Sequence, residues 1–94
     1  MPDITIADVP GASRYEIRVD GALGGYAMYR MEPGRIVFTH TEIDPAFEGH
    51  GLGSRLAAGA LDDVRRRGLD VRPLCPFIAR FVREHPEYED LVVT

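Results

Sequence analysis

Arg14 to Val19 (RYEIRV) alternates apolar and charged side chains with a period of two, as a strand does when one face is buried and the other meets water. Asp20-Gly21 opens a turn, Gly24-Gly25 adds a flexible point, and the apolar stretch Tyr26 to Met31 returns as the second arm of a hairpin. After the turn signal Glu32-Pro33-Gly34, Arg35 to Ile43 (RIVFTHTEI) is rich in β-branched and aromatic residues and predicts a third strand. The period then changes. Leu52, Leu56, Ala60 and Val64 recur every four residues, an apolar helical stripe that runs to about Arg67, where Gly68 is placed to end it. Leu69 to Arg72 is short and apolar enough for a fourth strand, and the intervening helix predicts a right-handed parallel crossover. Pro73-Leu74-Cys75-Pro76 leads into a second amphipathic helix, Phe77 to His85, with Phe77, Ile78, Phe81 and Val82 on its apolar side and Pro86 as its stop. The pattern predicts an α+β fold of order β-β-β-α-β-α, a mixed sheet that is mostly antiparallel with one parallel pair.

Composition narrows this picture. Ninety-four residues make a single domain over residues 1–94, and 45% hydrophobic with 28% charged residues describes a soluble globule rather than a disordered or membrane chain. One cysteine forbids an intrachain disulfide and no leader-like segment opens the chain, which together predict a cytoplasmic home. The chain has no lysine, so Schiff-base chemistry and a Walker-type phosphate lysine are excluded. The net charge of -4 is unevenly spread. Residues 1–48 carry four Arg against eight acids, whereas residues 51–83 carry seven Arg against three. That division argues against a nucleic-acid partner and for a small anionic ligand on the basic stretch.

Gly49, Gly51 and Gly53 lie where the strong strand gives way to the long helix. Glycine permits close approach of a ligand, and the unpaired amides of a helical first turn favour phosphate oxygens. The GxGxG spacing fits neither the dinucleotide fingerprint nor the P-loop, and by itself it also suits a tight turn. Pro76 suits a first helical position, which sets Cys75 at the N-cap, where a helix terminus favours thiolate over thiol. A buried inert thiol is the commoner alternative. Strand alternation puts Phe38, His40 and Glu42 on one face, opposite Val37, Thr39 and Thr41. A His beside a carboxylate is suited to taking the proton of an attacking amine. His50 in the loop and His85 at the helix end complete no metal-ligand spacing, so no metal is expected.

The stretch PAFEGHGLGSRL resembles the pantetheine-pyrophosphate loop of the GNAT superfamily of N-acetyltransferases, (Gln/Arg)-x-x-Gly-x-(Gly/Ala), with Gly51 and Gly53 at its last two positions and Glu48 where the superfamily has Gln or Arg. The longer pattern FTHTEIDPAFEGHGLGSRL, a helix, then RPLCPFIARFVREHPEY resembles a compact subgroup of single-domain members with a His before the loop and a Pro-x-Cys after the helix. The resemblance implies acetyl-CoA as co-substrate, its pyrophosphate on the amides of Gly49, His50, Gly51, Leu52, Gly53 and Ser54, with Arg55 as a further phosphate contact. It implies a pantetheine arm paired with the end of the third strand, at Thr39 and Thr41. Cys75, as nucleophile or as general acid, His40 and Glu42 would be catalytic, and the acceptor a small-molecule or protein amine. Larger members place two helices between their first two strands to help form the acceptor groove; only Asp20 to Gly25 separates the two strands read here. The acceptor site is then open, borrowed from a partner in a monomer or weak homodimer, or lost in a coenzyme-binding module without catalysis.

Overall fold

The computed structural model describes residues 2–93. Its elements are β1 (Ile4–Val9), β2 (Arg14–Val19), β3 (Ala22–Glu32), β4 (Arg35–Ile43), α1 (Leu52–Arg66), β5 (Asp70–Pro73) and α2 (Pro76–Glu84), with short 3-10 turns at Pro10–Ala12, Pro45–Phe47 and Pro86–Leu91. The five strands lie side by side in chain order. The first four form an antiparallel meander, and β5 runs parallel to β4 across α1.

β1 is the element the sequence reading misses, so the order is β-β-β-β-α-β-α. ITIADV offers only Ile4 and Ile6 as a period-two signal, neither side chain is fully buried, and the strand is held by its pairing with β2 at the edge of the sheet. The remaining elements fall within a few residues of their expected bounds. Gly68, at φ 70, ends α1 in the left-handed region as expected.

Both helices cover one face of the sheet. Tyr15, Ile17, Ala27, Tyr29, Ile36, Phe38 and Val71 form a single cluster with Leu56, Ala60, Leu61 and Val64 of α1 and Ile78, Phe81 and Val82 of α2. At the rim of this core, Tyr15 donates to Asp63 at 2.7 Å, Tyr29 donates to Asp8 at 2.6 Å, and Arg67 reaches both Asp8 and the Tyr15 hydroxyl at 3.2 Å. Burial, reinforced by the Asp8 carboxylate, pushes the Tyr29 hydroxyl up to about 12. The C-terminal turn is pinned by Tyr88, which donates to Asp62 of α1, and by the Val93 amide, which donates to the Val71 carbonyl. No described helix is long and apolar enough to cross a membrane.

Among the described residues no helix covers the other face of the sheet, which is charged. Glu16 is 7% exposed there, clamped by Arg14 at 2.8 Å and Arg18 at 3.0 Å. The Arg14 hydrogen bond, more than any other influence, holds the Glu16 carboxyl below its ordinary value of 4.5. A depressed carboxyl stabilises the fold above its unfolded value and ceases to do so as pH falls through its folded value. Glu16→Gln is therefore expected to melt below wild type at pH 7, with the two melting temperatures converging as the pH falls below 4.5. Melts that stay equally far apart across that range would refute the linkage.

Candidate functional site

The site begins where β4 and β5 part. Their pairing spans only Arg35 to Phe38 against Asp70 to Pro73. The Phe38 carbonyl then accepts from the Leu74 amide at 3.0 Å and the Cys75 amide at 2.9 Å, and the chain turns into α2. Thr39 to Ile43 continue beside β3 alone, so among the described residues one edge of β4 is unpaired.

A β-bulge falls at the same place. Tyr29 pairs with Phe38, but its neighbour Met28 pairs with His40, which leaves Thr39 as the extra residue. This corrects the expected alternation. Phe38 is in the core with the helices, and past the bulge Thr41 faces that same side, its Oγ1 3.3 Å from Cys75 Sγ. His40 and Glu42 face the open side instead, away from Phe38. Thr39 Oγ1 only turns back to the Met28 carbonyl at 3.4 Å.

Cys75 is the N-cap of α2, with Pro76 at the first helical position and Ala79 donating to the Cys75 carbonyl, as the sequence predicts. The thiol is 3% exposed. The fold does not bring Cys75 and His40 together, because they lie on opposite sides of β4.

His40 and Glu42 are each 59% exposed through their side chains, with His40 Nε2 3.5 Å from Glu42 Oε2. Tyr26 donates to the same oxygen at 2.5 Å. That hydrogen bond first, and then the contact with His40, holds the Glu42 carboxyl below the usual carboxylate range, while accepting from Tyr26 raises the phenol. The Arg14 guanidinium lies 4.6 Å over the Tyr26 ring. Sequence reasoning overlooks Tyr26 and Arg14. Only the register of β3 against β4, which pairs Tyr26 with Glu42, reveals them, and a bulge in each flanking ladder hides that register.

The glycine loop presents a helix end without a side-chain cap. Gly49 at φ 85 and Gly51 at φ 72 take left-handed conformations that glycine adopts without cost, and Gly51 is the N-cap of α1. Because the first intrahelical bond runs from the Arg55 amide to the Gly51 carbonyl, the amides of Leu52, Gly53 and Ser54 have no helical acceptor. His50, Ser54 and Arg55 are exposed. Gly53 has a second role: a Cβ there would come 2.8 Å from the Phe77 ring, which lies against the first turn.

A cleft of about 330 Å³ runs along this helix end, lined by Phe47, Glu48, Gly49, Gly51 to Ser54 and Phe77. It shares Ile43 and Glu48 with a wider cleft of about 540 Å³, into which Tyr26, Thr41, Glu42 and Asp44 also face. Together they connect the free helix amides to the unpaired end of β4. Among the described residues no group of three His, Cys, Asp or Glu side chains could hold a metal ion.

A family model described as GCN5-related N-acetyl-transferase matches residues 14–91. The chain belongs to this family. Among curated relatives, Protein NATD1 of Bos taurus is 33% identical over 75 residues, covering 78% of this chain and 66% of that protein, and its Homo sapiens counterpart is 32% identical over the same shares. The chain thus spans about two thirds of the length of these relatives. The solution structure of a GCN5-like protein from Staphylococcus aureus shares the fold, with a TM-score of 0.70 over 97% of this chain and 87% of that one at 18% identity. As a GCN5-related N-acetyltransferase domain this one is short. Since β1 exists, its first two strands are β1 and β2, joined only by the turn at Pro10–Ala12. The gap in which larger members carry two helices is there, and not at Asp20 to Gly25.

Proposed function

We propose that this domain binds acetyl-CoA along α1 and β4 and transfers the acetyl group to a primary amine arriving on the open face of the sheet. The observation that carries the reading is the continuity of three parts: the acceptor-free first-turn amides of α1, the cleft beside them, and the unpaired edge of β4. Amides suit pyrophosphate oxygens, and an unpaired strand edge suits the amide groups of pantetheine. Arg55 is an exposed cation in the first turn of α1.

The opposed placement of Cys75 and His40 favours direct transfer over a covalent acetyl-cysteine. On the open face the amine nitrogen loses a proton to His40 and bonds to the acetyl carbon; the carbon–sulfur bond breaks, the departing thiolate takes the proton of the Cys75 thiol beside Thr41, and after release Cys75 regains a proton from solvent while His40 gives one up. A ping-pong scheme would require the acetyl group to cross β4 between its two transfers. Incubation with acetyl-CoA alone is accordingly expected to leave Cys75 unacetylated by mass spectrometry, and an acetyl adduct mapped to Cys75 would reverse this assignment.

Calorimetric titration with acetyl-CoA tests the binding half, and absence of heat at millimolar ligand would sink it. Glu48 lines both clefts and places a carboxylate where phosphate is read to bind. Glu48→Gln is expected to tighten acetyl-CoA by about two- to fivefold, the effect of about 0.3 to 1 kcal/mol for a charge near a helix N-terminus. An unchanged affinity would move the phosphates away from this loop. The exposure of His40 and Glu42 supports a second reading, a coenzyme-binding module without turnover. That reading predicts acetyl-CoA binding with no product from any primary amine.

A further inference from the structure

Across the open face, Glu16, Tyr26 and Glu42 form one cross-strand row, and Arg14, Met28 and His40 form the next. Tyr26 sits where the rows connect. Its hydroxyl donates to Glu42 Oε2, the same oxygen that lies 3.5 Å from His40 Nε2, and its ring is covered by Arg14, which is in turn bound to Glu16 at 2.8 Å. His40 and Glu42 are otherwise mostly solvated, and two such side chains spend much of their time in other rotamers unless a third group holds one of them.

We infer that Tyr26 is a positioning residue for His40, acting through Glu42. With Glu42 Oε2 fixed by the phenol 3.5 Å from His40 Nε2, the carboxylate favours the proton on that nitrogen, the tautomer whose Nδ1 lone pair is the proton acceptor. Arg14 and Glu16 fix the Tyr26 ring from β2, so the array reaches across three strands to one nitrogen. The phenol keeps its proton in this role, because Glu42 raises its tendency to remain protonated. The inference rests on the acetyl-transfer reading, in which His40 is the base.

The test uses Tyr26→Phe, His40→Ala and the double variant, assayed by coenzyme A release with acetyl-CoA and the fastest of three amines: cadaverine, spermidine and Nα-acetyl-lysine. Tyr26→Phe is expected to lower kcat about three- to tenfold, leave KM for acetyl-CoA unchanged, and have no further effect in the His40→Ala background. In NMR spectra of the wild-type fold, the His40 ring resonances are expected to move in Tyr26→Phe, a readout that needs no turnover. Losses that simply multiply in the double variant, or unmoved His40 resonances, would overturn the inference while leaving acetyl transfer intact. A wild type that binds acetyl-CoA yet acetylates none of the amines would remove the reading beneath it, and the positioning role with it.

Discussion

Replacing His40 by alanine is expected to slow acetyl transfer by about 10² to 10⁴-fold, the usual contribution of a positioned general base, while acetyl-CoA affinity stays within about twofold. The separation of the two effects follows from where the side chain lies. His40 projects from the open face and lines neither the cleft at the helix amides nor the wider cleft next to it. Its side chain is exposed and, among the described residues, its one polar contact is to Glu42, so its removal opens no cavity and costs little stability. Steady-state rates with a saturating amine, paired with calorimetry on the same preparation, check both halves. A variant with undiminished kcat would remove His40 from the chemistry, and one that also lost acetyl-CoA would place His40 in the binding site instead.

The second large effect is on stability. Phe38→Ala is expected to cost about 3 to 5 kcal/mol, a heavy loss for a fold whose total stability lies in the usual range of about 5 to 15 kcal/mol. Phe38 is fully buried, with its ring centroid 6.2 Å from that of Tyr15, and it belongs to the one core cluster that the sheet shares with both helices. It is also the last β4 residue paired with β5, and its carbonyl holds the Leu74 and Cys75 amides. Urea unfolding should therefore show a lower midpoint, and acetyl-CoA should bind more weakly even under conditions where the variant remains folded. Phe77→Ala is the contrast, because its ring is 40% exposed and lies on the surface of α1. A Phe38 variant no less stable than the Phe77 variant would contradict the packing account.

The elements that recur in sequence with a clean period were legible from it. β2 follows from its alternation, β3 and β4 from apolar and β-branched runs set between turn signals, and both helices from their apolar stripes, and the loop glycines at 49 and 51 do take left-handed conformations. β1 was not legible, because an edge strand that buries no residue completely leaves little apolar imprint. The bulge was equally hidden. From Thr39 to Glu42 no large apolar side chain marks a face, so the sequence cannot show that one residue drops out of step. The consequence is specific: alternation puts Phe38 on the same side as His40, whereas the bulge sets them on opposite sides and leaves Thr41 opposite His40 as expected. The place of Cys75 at the start of α2 is legible, since Pro76 fixes that position by backbone geometry alone. The loop pattern suggests room for a ligand at Gly53, whereas the space above its Cα holds the Phe77 ring.

The parity of β4 depends on Thr39. Counted from Phe38, an even number of steps to His40 would have turned the imidazole inward against the helices, and the single unpaired residue converts it to odd. Side-chain polarity does not set this choice; the length of one strand relative to its neighbour does. A chain one residue shorter here would pair without a bulge and leave His40 and Thr41 where they are, whereas a chain of this length that paired in regular register would exchange them, facing a histidine toward the buried thiol and a threonine toward solvent.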